Sequence, residues 1–243
     1  MNDRPRRNGQ AHRQPVPVDG DVALAEAVAT GRAGGLFAAR SRDNAASSAR
    51  CIATHAAPSG TMKVVADTKD WTWVLERACR ECGFDTRTVA PERVGPLIGE
   101  VARAWIAVLA SAPDAALRER PMEDRWSTLE YACHVRDVCK VMDGRLALIL
   151  DTEDPEFPDW DQDAAATADR YGAQDPRRVA TELSAAAGAI AERIATVRAG
   201  QWSRPGRRSD GARFSADSLM RYFLHDPIHH LYDVGAPWQH VAP

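Results

Sequence analysis

Apolar residues recur at three- and four-residue spacing in several segments of the chain, which is the pattern of helices with one buried face. The first segment covers residues 91 to about 111, and its apolar positions are Val94, Leu97, Ile98, Val101, Trp105, Val108 and Leu109. The second begins after Ser127, which forms an S-x-x-E capping box with Glu130, and continues to about Leu150. Both segments are predicted to be long helices.

Two further segments complete the helical pattern. The third opens with Asp175 as the N-cap and Pro176 at the first helical position, and it is expected to stop at Gly200. The fourth starts near Ser215 and runs towards the C-terminus. Alternating β-branched residues are rare along the chain, so the sequence predicts no sheet.

Four helices of this length indicate an all-α fold, a four-helix bundle. The connection over residues 151 to 174 is much longer than the few residues that join antiparallel neighbours. A crossover of this length allows the second and third helices to run parallel, as in bundles with one long connection. Residues 1 to 61 contain eight arginines, no lysine and no sustained period, so we expect a disordered extension there and the bundle domain over residues 62 to 243.

The composition changes this picture little. The chain has 243 residues, of which 44% are hydrophobic and 27% charged, with a formal net charge of -3, as in an ordinary soluble protein. The small surplus of acid makes nucleic-acid binding unexpected, and no uninterrupted apolar run approaches the roughly 20 residues of a membrane span. Without a secretory signal, a cytoplasmic location is the default, and an odd count of five cysteines argues against a disulfide framework.

Candidate metal ligands cluster in the fourth helix, in the stretch RYFLHDPIHHLYDV. At about 100° per residue, His225 and His229 share one face of the helix, whereas His230 lies on a different face. Imidazole binds zinc, nickel, iron and copper, and a catalytic site of this kind usually has three protein ligands. His134 in the second helix is the expected third ligand, although a core histidine with only a packing role is the alternative. Asp226 either orients a ligand or is solvated.

Other side chains give weaker signals. Cys79 and Cys82 form half of a zinc ribbon without a second C-x-x-C pair, so buried or idle thiols are favoured over a metal knuckle. Three arginines precede the fourth helix: Arg204, Arg207 and Arg208. They are candidates to bind the carboxylate of a substrate or cofactor, and the alternative is a solvated basic loop. HDPIH resembles the H-E-x-x-H of zinc peptidases, but few residues follow for a downstream ligand.

The order of RWSTLEYACHVRDV, the acidic DTEDPEFPDWDQD, QWSRPGRRSDGARFS and LHDPIHH resembles the DinB-like (DinB/YfiT) superfamily, especially its actinobacterial members. The segment KDWTWVLERACRECGFD is similar to the lead-in of that subgroup. The resemblance implies a bundle in up-down-down-up order with a metal held by His134, His225 and His229. It also implies similarity to the metal-binding domain of mycothiol-dependent maleylpyruvate isomerase, and hence a low-molecular-weight thiol as cofactor.

The function predicted from these signals is a metal-dependent transfer or isomerisation of a small electrophile with a mycothiol-type thiol. Zinc is the expected divalent metal, with nickel, iron or manganese as alternatives. A metal- or ligand-binding stress protein without catalysis and a metallo-hydrolase that uses bound water are the rival functions. The expected partner is a small-molecule substrate, with no nucleic acid and no membrane, and a homodimer is one option for the oligomeric state.

Overall fold

The computed structural model describes residues 70–238. The predicted extension over residues 1 to 61, and the boundary drawn at Met62, lie outside the described residues. Four long helices carry the fold: α1 (Val94–Ser111), α3 (Thr128–Asp151), α5 (Pro176–Thr196) and α6 (Ala216–Asp233). Two short helices, α2 (Asp114–Arg118) and α4 (Gln162–Ala168), lie in the connections.

The helix starts are set by the capping residues that the sequence predicts. The Ser127 hydroxyl accepts from the backbone N–H of Glu130, whose carboxylate accepts from the N–H of Ser127, which is a full capping box at the start of α3. Asp175 caps α5 ahead of Pro176, and Ser215 caps α6. The end of α5 was predicted less well, because the helix stops at Thr196 and a 3-10 turn over Ala199–Gln201 follows.

Side-chain pairs fix the helix directions. Arg136 of α3 contacts Glu182 of α5, and Asp143 of α3 contacts Arg193 of α5, so residue numbers rise together along both helices. Helices α3 and α5 are therefore parallel, which confirms the predicted crossover between them.

The other two helices run the opposite way. On α3 and α6, Tyr131 faces His230 and His134 faces Asp226, so residue numbers change in opposite senses. Gly95 near the start of α1 lies against Ile194 near the end of α5, which makes α1 antiparallel to α5. The bundle has the up-down-down-up order that the resemblance implies.

Helix α1 supplies much of the core. With the turn before it, Pro91–Ser111 is long and apolar enough by length and composition to cross a membrane, although charged residues interrupt its apolar positions. Its apolar face is buried in the bundle, and the indole N–H of Trp105 donates to the carbonyl of Pro227 in α6 over 3.0 Å. This packing is that of a core helix in a bundle.

A small three-stranded sheet, which the sequence analysis did not expect, joins the crossover to the segment before α6. Strand β1 (Glu156–Phe157) pairs in parallel with β2 (Pro205–Arg208), which pairs antiparallel with β3 (Arg213–Ser215). The prediction of no sheet was therefore wrong. It failed because strands of two to four residues are too short to show an alternating pattern.

Gly206 in β2 provides a test of the packing between this sheet and the bundle. A Cβ there would lie 2.6 Å from Phe157 Cζ and 2.9 Å from Ile149 Cγ1, and both neighbours are buried. Gly206→Ala is therefore expected to lower the free energy of unfolding by about 1–3 kcal/mol, measured by urea denaturation. The matched change Gly188→Ala, on an exposed face of α5 with nothing within 4 Å, should raise it by about 0.5–1 kcal/mol. Equal effects of the two changes would contradict the packing.

Candidate metal centre

The histidine stretch of α6 presents two different faces to its surroundings. His225 and His229 lie one turn apart, with ring centroids 5.1 Å from each other. Asp226 and His230 are spaced in the same way, and they face α3, where His134 lies. The helix thus divides its polar side chains between two donor groups.

The first donor group, called here the His134 group, consists of His134, Asp226 and His230. His134 Nε2 lies 3.3 Å from Asp226 Oδ1, and His230 Nε2 lies 3.8 Å from Asp226 Oδ2. One donor atom from each of the three side chains lies within 4.8 Å of the others. Two imidazoles and one carboxylate at such distances can hold a single divalent ion and leave coordination positions open.

The surrounding side chains hold these ligands in place. Asp233 Oδ2 lies 2.8 Å from His230 Nδ1, which leaves Nε2 directed towards Asp226. The His134 ring stacks on Trp160 at a centroid distance of 5.5 Å and packs against Trp126 at 5.3 Å. A carboxylate behind a histidine in this way fixes the tautomer of a metal ligand.

One atom of the His134 group shows that these residues fit a metal. Among the described residues, Asp226 Oδ1 is buried and makes no hydrogen bond, and the donor atom nearest to it is His134 Nε2 at 3.3 Å. A buried polar atom without a partner is costly unless a ligand, ion or water satisfies it. Burial alone would raise the pKa of Asp226, but the imidazoles of His134 and His230 lower it below its ordinary range. Asp226 is therefore an anionic ligand at neutral pH.

The second donor group, called here the cysteine–histidine group, consists of Cys79, Cys82, His225 and His229. Cys79 Sγ lies 3.6 Å from His229 Nδ1, and Cys82 Sγ lies 3.7 Å from His225 Nε2. Burial, together with the neighbouring His229, lowers the pKa of His225 to about 4, so this imidazole is neutral at neutral pH. Burial raises the pKa of the Cys82 thiol to about 12.

The structure does not bring the three predicted ligands together in one donor group. His134 lies with Asp226 and His230, whereas His225 and His229 lie with the two cysteines. A shared ion at His134, His225 and His229 stays a prediction, and the donor distances favour the division into two groups. The expectation that His230 lies on a different face from His225 agrees with this division.

Sequence reasoning missed four residues of the two groups as ligands. Asp226 and His230 have the same i, i+4 spacing as His225 and His229, and this spacing was the available signal for them. The cysteines were assigned to buried or idle thiols because the sequence has no second C-x-x-C pair, and their histidine partners lie more than 140 residues away.

The predicted arginine cluster is divided between two roles. Arg204 Nε donates to the carbonyl of Ile149 at the end of α3 over 2.6 Å, and Arg207 pairs with Asp154 of the crossover at 2.7 Å, so both have structural partners. Arg208 lines a cavity of about 640 Å³, where it pairs with Asp210 at 2.6 Å. Binding of a cofactor by these arginines stays a prediction, and Arg208 is the one placed for it.

A cavity of about 640 Å³ reaches both donor groups. Its wall includes His225 and His229 from one group and Asp226 and His230 from the other. The buried Arg145 also lines it, and this guanidinium donates to the carbonyl of Pro158 over 3.3 Å. No carboxylate of the described residues forms a salt bridge with Arg145, which leaves a buried cation facing the cavity.

The fold and the site define a metal-binding four-helix bundle, and comparison with known proteins agrees with this class. The profile of the DinB superfamily matches residues 98–234, more than half of the chain, and the chain belongs to this superfamily. No curated protein matches it.

Among solved structures, the fold is similar to that of YfiT from Bacillus subtilis, with a TM-score of 0.55 and 18% sequence identity. The likeness covers 60% of this chain and 85% of YfiT, which is described as a probable metal-dependent hydrolase with an unusual four-helix bundle topology. At this identity the likeness shows the fold alone.

Proposed function

We propose that this protein is a metal-dependent enzyme that uses a low-molecular-weight thiol to transfer or isomerise a small electrophile. The observation that carries the proposal is the His134 group, which offers three protein donors and a buried carboxylate oxygen without a hydrogen bond, beside a cavity of about 640 Å³. A divalent metal at these side chains would supply open coordination positions and favour the deprotonated form of a bound thiol or water.

The described residues supply no convincing nucleophile of their own, which supports an external thiol. Cys133 and Cys139 are completely buried, and burial raises the pKa of Cys133 to about 12 and that of Cys139 further. Cys79 and Cys82 belong to the other donor group. A thiol brought in by a small molecule would then be the nucleophile, as thiolates attack electrophiles far better than thiols do.

The cavity wall indicates the chemistry of the bound molecules. Its charged and hydroxyl-bearing side chains include Tyr131, Arg145, Asp159, Arg208, Asp210 and Tyr222. A wall of this kind suits a thiol with a polar, hydroxyl-rich body such as mycothiol. Arg145 is the cation without a carboxylate partner, so a carboxylate on the electrophile is the expected group beside it. Asp233 lies against Nδ1 of His230, so Nε2 of this ring is the nitrogen that faces Asp226 and a shared ion.

Turnover assays of the metal-loaded full chain test this function. We expect product formation to need mycothiol or bacillithiol, and to be faster with a carboxylate-bearing electrophile than with its methyl ester. The ester is the matched control for Arg145. Hydrolysis of ester or amide substrates without any thiol would instead support a metallo-hydrolase, the function described for YfiT. Metal binding without turnover in either assay would support a binding protein and contradict the proposal.

A further inference from the structure

The second donor group lies outside the proposed catalytic site and joins the two ends of the described chain. Cys79 and Cys82 lie in the turn between the 3-10 helices Trp71–Leu75 and Thr86–Thr88, whereas His225 and His229 lie in α6. Two thiols and two imidazoles are the donor set of Cys₂His₂ zinc sites.

The turn that carries the cysteines has a tight hydrogen-bonded backbone. The N–H of Gly83 donates to the carbonyl of Cys79, and the N–H of Cys79 donates to the carbonyl of Phe84, both over 2.9 Å. Gly83 has a φ of 75°, a left-handed conformation that glycine adopts without strain. A turn closed in this way brings both sulfur atoms of a C-x-x-C pair to one side.

The donor distances match those around a tetrahedral ion. With bonds of about 2.3 Å to sulfur and about 2.1 Å to nitrogen, a zinc ion places neighbouring donor atoms about 3.3 to 3.8 Å apart. The two sulfur–nitrogen distances in the group are 3.6 Å and 3.7 Å, and all four donor atoms lie within 4.8 Å of one another.

Three of the four donors are buried, although His225 and His229 also reach the wall of the cavity. Cys79, His225 and His229 are buried, and the ring of Trp71 lies 4.9 Å from that of His229 and 5.6 Å from that of His225. His229 Nε2 lies 3.3 Å from a carboxylate oxygen of Glu81, between the two cysteines in sequence, which leaves Nδ1 for the ion. Four protein donors fill a tetrahedron and leave no position for a substrate.

We propose that Cys79, Cys82, His225 and His229 bind one Zn²⁺ in a closed structural site, separate from the His134 group. Binding replaces two S–H bonds with two zinc–thiolate bonds and releases two protons, while the neutral imidazoles bind through Nδ1 of His229 and Nε2 of His225. The ion then fastens the segment before α1 to the last helix. This inference does not depend on the proposed function.

Cobalt substitution of the full chain tests the donor set, because only a thiolate ligand gives sulfur-to-cobalt charge-transfer absorption. We expect these bands in the wild type, weaker bands in Cys79→Ser and in Cys82→Ser, and their loss in the double variant that carries both changes. Cys133→Ser, a buried cysteine of α3 outside the group, is the matched control and should keep them in full. His134→Gln should also keep them, so failure of the proposed function leaves this result unaffected. Bands that persist in the double variant, or a folded wild type without them, would overturn the site.

A second measurement uses only the wild-type protein, so its result does not depend on whether a variant folds. Cys82 is partly exposed, and a bound ion should protect it from iodoacetamide. Alkylation of Cys82 in zinc-loaded wild type, followed by peptide mass spectrometry, should be at least about tenfold faster after a chelator is added. An unchanged rate, or isolation of the protein as a Cys79–Cys82 disulfide without zinc, would refute the proposal.

Discussion

His134→Gln is expected to lower metal-dependent turnover at least about a hundredfold, because it removes one of three protein ligands from the proposed catalytic ion. Glutamine keeps much of the side-chain volume between Trp126 and Trp160, so the change is expected to act on the metal more than on packing. Elemental analysis and turnover on the same preparation, with circular dichroism as the check on folding, measure the effect.

A change in the other donor group is the matched control for this experiment. His225→Gln alters an equally buried histidine of α6 that faces the cysteines, so the ion of the His134 group should remain. His134→Gln should therefore lose the catalytic ion, whereas His225→Gln should lose only the ion of the cysteine–histidine group. If His134→Gln keeps full metal content and turnover, the assignment of the catalytic metal to this group is wrong.

Arg136→Met is expected to lower the free energy of unfolding by about 1.5–3 kcal/mol, the range for losing hydrogen bonds between charged groups. The Arg136 side chain is only 3% exposed and contacts three carboxylates, each at 2.7 or 2.8 Å: those of Asp137, Asp169 and Glu182. It also donates to the side-chain oxygen of Gln174 over 2.7 Å. These partners lie on α3, α5 and the crossover, so the variant removes the one cation that joins all three, although Asp137 keeps Lys140 and Glu182 keeps Arg178 as a counterion.

Lys140→Met provides the comparison, because Lys140 pairs with the same Asp137 at 3.0 Å but is 54% exposed. An exposed pair of this kind contributes about 1 kcal/mol or less. Urea denaturation of both variants should therefore separate them clearly. Similar losses in the two variants would mean that burial does not set the strength of the Arg136 network.

Local signals in the sequence were sufficient to predict the four long helices, whereas α2 and α4 were not predicted and the up-down-down-up order came from the family resemblance. Ser127, Asp175 and Ser215 each cap the helix that they were expected to start, since a cap needs only neighbours within three residues. The long connection after α3 also predicted the parallel pair correctly. The strands were missed because each is only two to four residues long, and because β1 pairs with β2 across about 50 positions of the chain.

The grouping of the ligands could not be predicted in the same way. Helical periodicity shows that His225 shares a face with His229, and Asp226 with His230, but it does not show which pair faces His134. The rotation of α6 about its axis is set by packing such as that of Trp105 against Pro227. Likewise, C-x-x-C spacing identifies a pair of thiols, whereas its partners depend on how the ends of the chain meet.

The two halves of the cysteine–histidine group lie far apart along the chain. This separation determines when the group can form during synthesis. A ribosome makes Cys79 and Cys82 before α1, and it makes His225 and His229 only after α1, α3 and α5 have been completed. A growing chain therefore has two thiols without their imidazole partners for most of its translation. Closing a loop of this size is slow and entropically unfavourable, so the joining of the two ends belongs to the last steps of folding. Zinc captured by all four side chains would thus mark a finished polypeptide, and a truncated one could not retain it.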